Sequence, residues 1–382
     1  MKKNTTAKNR TTKVLSKTDK KAIWKMAGQQ RLTIGLDLGD RKSRYCILNA
    51  AGDVVAEDEL PTSEPGLSAV FEKMPSSRIA LEVGTHSPWV SRMLARFSHE
   101  VIVANARKVA LITQSSSKND RLDAEQLARL ARVDVKLLSP IQHRSEEAQR
   151  DLVVLRARHD VVEARTKLLL SARGLAKSCG RRLPRCESEQ TGPDLTATCP
   201  AELQEALCPM LEAVERLSGA IAAYDEQIAE MEKKYPEVML LKQVYGVGTL
   251  IALTYVLTIE DPDRFKHSRV VGAYIGLRPK QRSSGASNPE LGITKEGDKL
   301  LRALLVQGAH TILRRGAPDS DLRAWAVRKL GGDGKQVSKR LKKKVVIAIA
   351  RKLAVLLHRL WSTGEVYDPF YNRKREQSAA AA

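Results

Sequence analysis

One stretch constrains the fold of this chain more than any other. Leu32-Thr33-Ile34-Gly35-Leu36-Asp37-Leu38 reads as a buried strand ended by Gly39-Asp40, and it carries a carboxylate placed centrally on it. A charge inside such a strand is costly unless it is paired or meets a cation. Neighbours for the strand follow at once. Ser43 to Leu48 and Val54 to Leu60 read as two more strands, with Ala51-Gly52-Asp53 as the hairpin between them. A helix over about 65–73, a strand at Ile79 to Val83, a helix around Trp89 to Phe97, a strand at Val101 to Val103 and a helix from Asp120 to Ala131 complete the segment. Three meandering strands followed by alternating helices and strands is the order of an RNase H-like (RuvC-like) α/β domain, a mixed sheet covered by helices. We assign it residues 32–138.

From 139 to 238 the pattern is all-α. Val154, Ala157, Val161, Ala164, Leu168, Ser171 and Leu175 recur in steps of three and four, and so do Leu203, Leu207, Met210, Val214, Leu217, Ile221, Tyr224, Ile228 and Met231. The second series has the spacing of a coiled-coil seam. It fits a helical hairpin within the chain or arms that pair with another subunit. Residues 239–376 form a third, mainly α region. There Val244-Tyr245-Gly246-Val247-Gly248 opens a helix in the manner of a helix–hairpin–helix element, whose amides could hold a phosphate. A loop of Ser, Gly, Lys and Arg spans about 279–297, and helices follow over Asp298 to Arg314 and beyond Ser338.

The charge balance names a class of partner. With 65 Lys and Arg against 44 Asp and Glu, the net charge is +21, which attracts polyanions through salt-dependent counterion release. Nucleic acid is the expected ligand, contacted mostly through its backbone because aromatic residues make up only 4%. Residues 1–31 hold ten Lys or Arg and one acid, so this basic extension is either a solvated tail or an arm on nucleic acid. The absence of a long apolar run, a signal-peptide core or a lipidation motif points away from membranes and to a cytoplasmic, nucleoid-associated protein. Cys179, Cys186, Cys199 and Cys208 cluster without the C-x-x-C pairs of a zinc site, and free thiols are expected.

Four acids are placed for chemistry. Asp37 and Glu82 sit on strands, and Asp120 and Asp123 stand three apart on one helix face. Gathered at one end of the sheet they would hold Mg²⁺ or Mn²⁺ through oxygen, as phosphodiester-cutting enzymes do. Asp120 could instead cap its helix, Asp123 could be a surface acid, and Asp40 belongs to the turn. The nucleophile could be water or a protein hydroxyl. The loop Pro279-Lys280-Gln281-Arg282-Ser283-Ser284-Gly285 offers two serines between which spacing does not choose. Lys280, Arg282, Lys295 and Arg302 are candidates to offset charge on a phosphate. Lys339, Arg340, Lys342, Lys343 and Lys344 form a second nucleic-acid-seeking surface.

Together these pieces carry a resemblance. Ile34-Gly35-Leu36-Asp37, Glu82 in Ala-Leu-Glu-Val and Asp120-Arg-Leu-Asp123 come first. Val244 to Gly248, Arg264-Phe265, Ala273 to Pro279, Ser284-Gly285 and Ile293 to Gly297 follow in order. The chain resembles, from Leu32 to about Leu313, the DEDD transposases of the IS110 insertion-sequence family, notably its IS1111-type branch, also described as bridge-RNA-guided recombinases. The resemblance implies that Asp37, Glu82, Asp120 and Asp123 bind the metal and that Ser284 is the nucleophile. It also implies a guide RNA, DNA of the element ends and target, and a homo-oligomer (dimer or tetramer) in which the nuclease domain of one subunit works with the serine domain of another. Thr294 and Asp298 stand where the family pattern has Ser and Asn. Three rivals are weaker. A junction resolvase using water would not need the serine region, and a sugar-kinase or actin-like ATPase would need a second Gly-rich phosphate hairpin that the sequence lacks. A non-catalytic scaffold would leave Asp37 and Glu82 unexplained.

Overall fold

The computed structural model describes residues 31–105, 120–184, 196–282, 291–332 and 337–381, together with Lys25 and Pro289. Most of the basic extension, the side chain of Asp120, Cys186 and the pair Ser283 and Ser284 lie outside the described residues. The chain divides into two compact units, Met1–Arg144 and Ser145–Ala382.

The first unit is built on a mixed five-stranded sheet of order β3-β2-β1-β4-β5. Strands β1 (Thr33–Asp37), β2 (Lys42–Leu48) and β3 (Val54–Pro61) form an antiparallel meander, and β4 (Arg78–Glu82) and β5 (Glu100–Ala104) run parallel to β1. These are the strands expected from the sequence. The β2–β3 turn is closed by Asn49, whose Oδ1 accepts from the amides of Gly52 and Asp53. Helices α1 (Glu64–Phe71) and α2 (Ser87–Arg96) bury Leu67, Phe71, Val90 and Leu94 in one apolar layer with Ile34, Leu36, Ile79 and Leu81. The other layer contains Ala80, Ile102, Leu127 and Ala131, the last two from α3 (Asp120–Val133). Cover on both sides explains why the central strands read as continuous apolar runs.

The second unit opens with two long helices, α4 (Glu146–Ser178) and α5 (Gln204–Glu232). Ala172 and Ala176 of α4 pack with Leu207, Leu211 and Val214 of α5, so the α5 seam is covered by the chain itself. On α4 the structure corrects the expected stripe. Ala164, Ser171 and Leu175 are exposed, while Leu152, Leu155, Ala172 and Ala176 are buried. Leu152 and Leu155 join the core of the later helices, while against α5 the buried α4 residues are the small Ala172 and Ala176, which a stripe of bulky residues does not mark. Beyond α6 (Glu237–Lys242), helix α7 (Thr249–Ile259) is apolar all round and buried along Ile251 to Ile259, as such a helix must be. The short α8 (Val271–Tyr274), then α9 (Lys299–Ile312), α10 (Asp321–Lys329) and α11 (Lys339–Thr363) build the same core, and α12 (Tyr371–Ala381) ends the chain. Among the described residues no helix is long and apolar enough to cross a membrane.

Candidate active site

Asp37 and Glu82 end neighbouring parallel strands, one step beyond the pair Leu36–Leu81. Both line a cavity of about 260 Å³ together with Asp40, Gly84, Thr85 and His86. Helix α3 reaches the same edge of the sheet, and its course follows from two sets of contacts. Arg129 and Arg132 donate to the carbonyls of Gly52 and Ala50 in the β2–β3 turn, and Arg78 at the start of β4 donates to Ala131 O. The C-terminal turns of α3 therefore lie where β1 and β4 begin, and its N-terminal turn, with Asp123, lies where they end.

Gly35 fixes the height of that helix. A Cβ at this position would stand 1.9 Å from Ala124 O and 2.6 Å from Ala128 N, so helix backbone rests directly on strand backbone. Asp123, half-buried, immediately precedes Ala124. Asp37, Glu82 and the Asp123 turn thus share one sheet edge. Among the described residues no three His, Cys, Asp or Glu already stand together as a cation site. The donors at this edge are carboxylate oxygens, the kind that suits a hard divalent cation.

Sequence reasoning missed His86. It lies in the loop after β4, and its one advance sign is that position in a Gly-Thr-His-Ser-Pro run. Trp89 Nε1 donates to His86 Nδ1 at 3.1 Å, with the rings perpendicular at 86°. Indole nitrogen only donates, so Nδ1 is the accepting nitrogen of this pair, and the other ring nitrogen is Nε2. That atom faces Asp40 Oδ1 at 3.6 Å, at the edge of the acid cavity.

The loop behind His86 is latched by Ser87, whose Oγ donates to Gly84 O, accepts from Gly84 N and meets His143 Nε2 at 2.9 Å. Burial, with Arg92 and Arg144 nearby, pushes the His143 pKa down to about 4. Ser87 is fully buried, which makes this pair a structural latch and not a nucleophile with its base.

The serine loop is known from its base. Lys280 N donates to Gly292 O, Thr294 N to Arg278 O and Lys295 N to Gly276 O, tying its two ends together. Gly276 and Gly297 have φ of +78° and +76°. A Cβ on either would fall 2.0 Å from Glu296 O or 2.1 Å from Tyr274 O. Arg302, a candidate phosphate contact, sends Nη1 to the carbonyls of Ile275 and Glu296, so this nitrogen braces the base. Asp298 caps α9 through Leu301 N and binds Arg156 of α4 at 2.8 Å. Two features at the base lack a packing explanation. Lys295 holds a left-handed φ of 58°, and the buried Thr294 hydroxyl has no partner among the described residues. Strain and unmet polar atoms collect at functional sites. Lys280, Arg282 and Lys295 are exposed, as are Lys339, Arg340, Lys342, Lys343 and Lys344 on the first turns of α11.

Comparison with known proteins bears on both regions. A family model described as a transposase matches residues 34–179, and that of the IS116/IS110/IS902 transposase family matches residues 238–323. The transposase for insertion sequence element IS1111A of Coxiella burnetii is 30% identical over 265 residues, 66% of this chain and 69% of that protein. The transposase for insertion sequence element IS1328 of Yersinia enterocolitica is 26% identical over 345 residues, 88% of this chain and 98% of the relative.

Proposed function

This chain belongs to the IS110 family of insertion-sequence transposases, enzymes that cut DNA, and from that premise we propose that it exchanges strands with two separate centres. One is an RNase H-like centre of Asp37, Glu82, Asp120 and Asp123, and the other is Ser284. The observation that carries the first is the shared edge of Asp37, Glu82 and the Asp123 turn. These carboxylates would hold Mg²⁺ or Mn²⁺, which when bound supplies a Lewis acid for the phosphate and lowers the pKa of an attacking hydroxyl. The second centre is supported by a loop closed at its base and flanked by exposed Lys280, Arg282 and Lys295.

In the cleavage step Ser284 Oγ attacks phosphorus. One P–O bond forms as the bond to the leaving sugar oxygen breaks, that oxygen takes up a proton, and the serine proton passes to base. Bond for bond the step is near balance, so attack by an incoming sugar hydroxyl reverses it and rejoins DNA without a nucleotide cofactor. A water nucleophile could not store the bond, and that separates this reading from a resolvase. The nucleophile, a guide RNA, a nucleoid-bound homo-oligomer and a division into extension, nuclease, hairpin and serine domains all belong to this proposal.

The test is a suicide DNA substrate. Wild type should leave DNA covalently on Ser284, and Ser284→Ala or EDTA should abolish the adduct while Ser283→Ala keeps it. Asp37→Ala and Asp123→Ala should abolish cleavage without weakening DNA binding. Cleavage with no adduct, or an adduct on Ser283, refutes the assignment.

A further inference from the structure

A broad groove of the second unit has no part in either centre. It measures about 1800 Å³ and is lined by the exposed face of α11, residues 262–270, α10 and residues 365–376. Its charges are unevenly matched. Of its five acids, Asp321, Glu365 and Asp368 are held by Arg373, Arg359 and Lys374, and Asp263 and Glu376 stand exposed against a larger number of cations. Lys266, Arg269, Arg328, Arg351 and Lys352 are exposed and have no carboxylate partner among the described residues. The cations also continue along the helix. At 100° per residue Arg340, Lys344 and Arg351 fall within a 40° arc of α11, a straight line about 16 Å long at 1.5 Å per residue.

Aromatic residues are the second observation. The chain has only sixteen Phe, Tyr and Trp, yet Phe265, Trp325, Tyr367 and Tyr371 line this one groove. Lys352 lies 4.6 Å over the Trp325 ring and Arg359 4.6 Å over that of Tyr371, which is 42% exposed. Lys266, Arg269 and Arg351 would hold a row of phosphates. Rings backed by cations would stack on bases, which only an unpaired strand can present. We infer that this groove binds a single-stranded segment of nucleic acid, held by Lys266, Arg269 and Arg351 through its phosphates and by Tyr371 through a base. The inference stands apart from the serine and acid centres. It adds base stacking to the mainly backbone contact expected from the low aromatic content.

Binding of labelled oligo-dT and oligo-U of roughly 12 nucleotides, a length one such groove spans, tests it with the full chain across a salt series. Replacing Lys266, Arg269 and Arg351 together by Gln should flatten the slope of log K against log salt by about 2, since each single-strand phosphate contact contributes roughly 0.7. Lys167→Gln, Lys177→Gln and Arg182→Gln on the helical hairpin should leave it unchanged. Tyr371→Ala should weaken both oligonucleotides roughly tenfold, the effect of one lost stack, without changing the slope. The oligo-dT and oligo-U arms show whether the strand is DNA or RNA. An unchanged slope in the triple variant overturns the site. An equal loss on a duplex of the same length overturns the single-strand assignment, and a fall in assembly mass with binding intact makes the groove an interface between copies. None of these readings requires cleavage, so failure of the serine mechanism would not be confused with failure of the groove.

Discussion

At the scale of the residue, Gly35 and His143 make separable predictions. Gly35→Ala drives a methyl into the backbone of α3 and must lift the helix that carries Asp123. Overpacking of this kind costs about 1–3 kcal/mol. We expect a lower Tm together with a loss of cleavage larger than the stability loss explains. Gly84→Ala, with nothing within 4 Å of the new methyl, should leave Tm unchanged. A Gly35→Ala protein with wild-type Tm and cleavage would mean that α3 is free to move. His143 concerns acid stability. Its folded pKa of about 4 lies below the usual 6.5, so between those values the unfolded chain binds the extra proton. Its contribution is complete above about pH 6.5 and is lost as pH falls towards 4. His99, lowered by its own burial, acts in the same direction. His143→Gln should flatten the rise of Tm between pH 4.5 and 6.5, and an unaltered rise would show that His143 is as readily protonated in the fold as in the open chain.

At the scale of the element, the helical hairpin separates fold from assembly. Leu207 is 2% exposed against α4, so Leu207→Ala should cost about 2–5 kcal/mol and lower Tm without changing assembly mass. Leu170 and Leu175 are 60% and 50% exposed. If another subunit docks on the hairpin, Leu170→Glu with Leu175→Glu should lower the sedimentation mass and leave Tm nearly unchanged. The same helices mark where sequence reading stops. The α5 seam was legible because Leu207, Val214, Ile221 and Ile228 are both large and buried, whereas the α4 face was not because alanines form it. The strands were legible for a similar reason, their apolar runs being buried on both sides. Asp37 stood out because a carboxylate is costly there. His86 and the brace at Arg302 did not, because they depend on a Trp89 indole and on backbone carbonyls whose positions no local pattern records. The cationic start of α11 lies between these cases. Its charges were plain in the sequence, but only the helix shows that they oppose the macrodipole, at about 0.3–1 kcal/mol each at low salt. An anionic ligand would relieve that cost.

At the scale of the whole molecule, the two proposed centres lie on different compact units. The family resemblance assigns them to different subunits of an assembly, and mixing tests this. Asp37→Ala protein and Ser284→Ala protein, each inactive alone, should together recover part of the adduct and strand exchange when assembled on DNA. No recovery, with mixed assemblies demonstrated by mass, would mean that both centres must belong to one chain. The serine loop bears on how far such an assembly can be re-engineered. Its ends are joined by backbone bonds at Gly276, Arg278, Lys280, Gly292, Thr294 and Lys295, and by Arg302. Residues added between 283 and 288 would therefore enlarge a closed ring and leave the core beneath it alone. Ring closure is forgiving, costing only about 0.6 kcal/mol for each doubling of length. Loop length is then a nearly independent dial on how far the proposed nucleophile extends, and chains with longer or shorter loops could be matched to DNA junctions of different width.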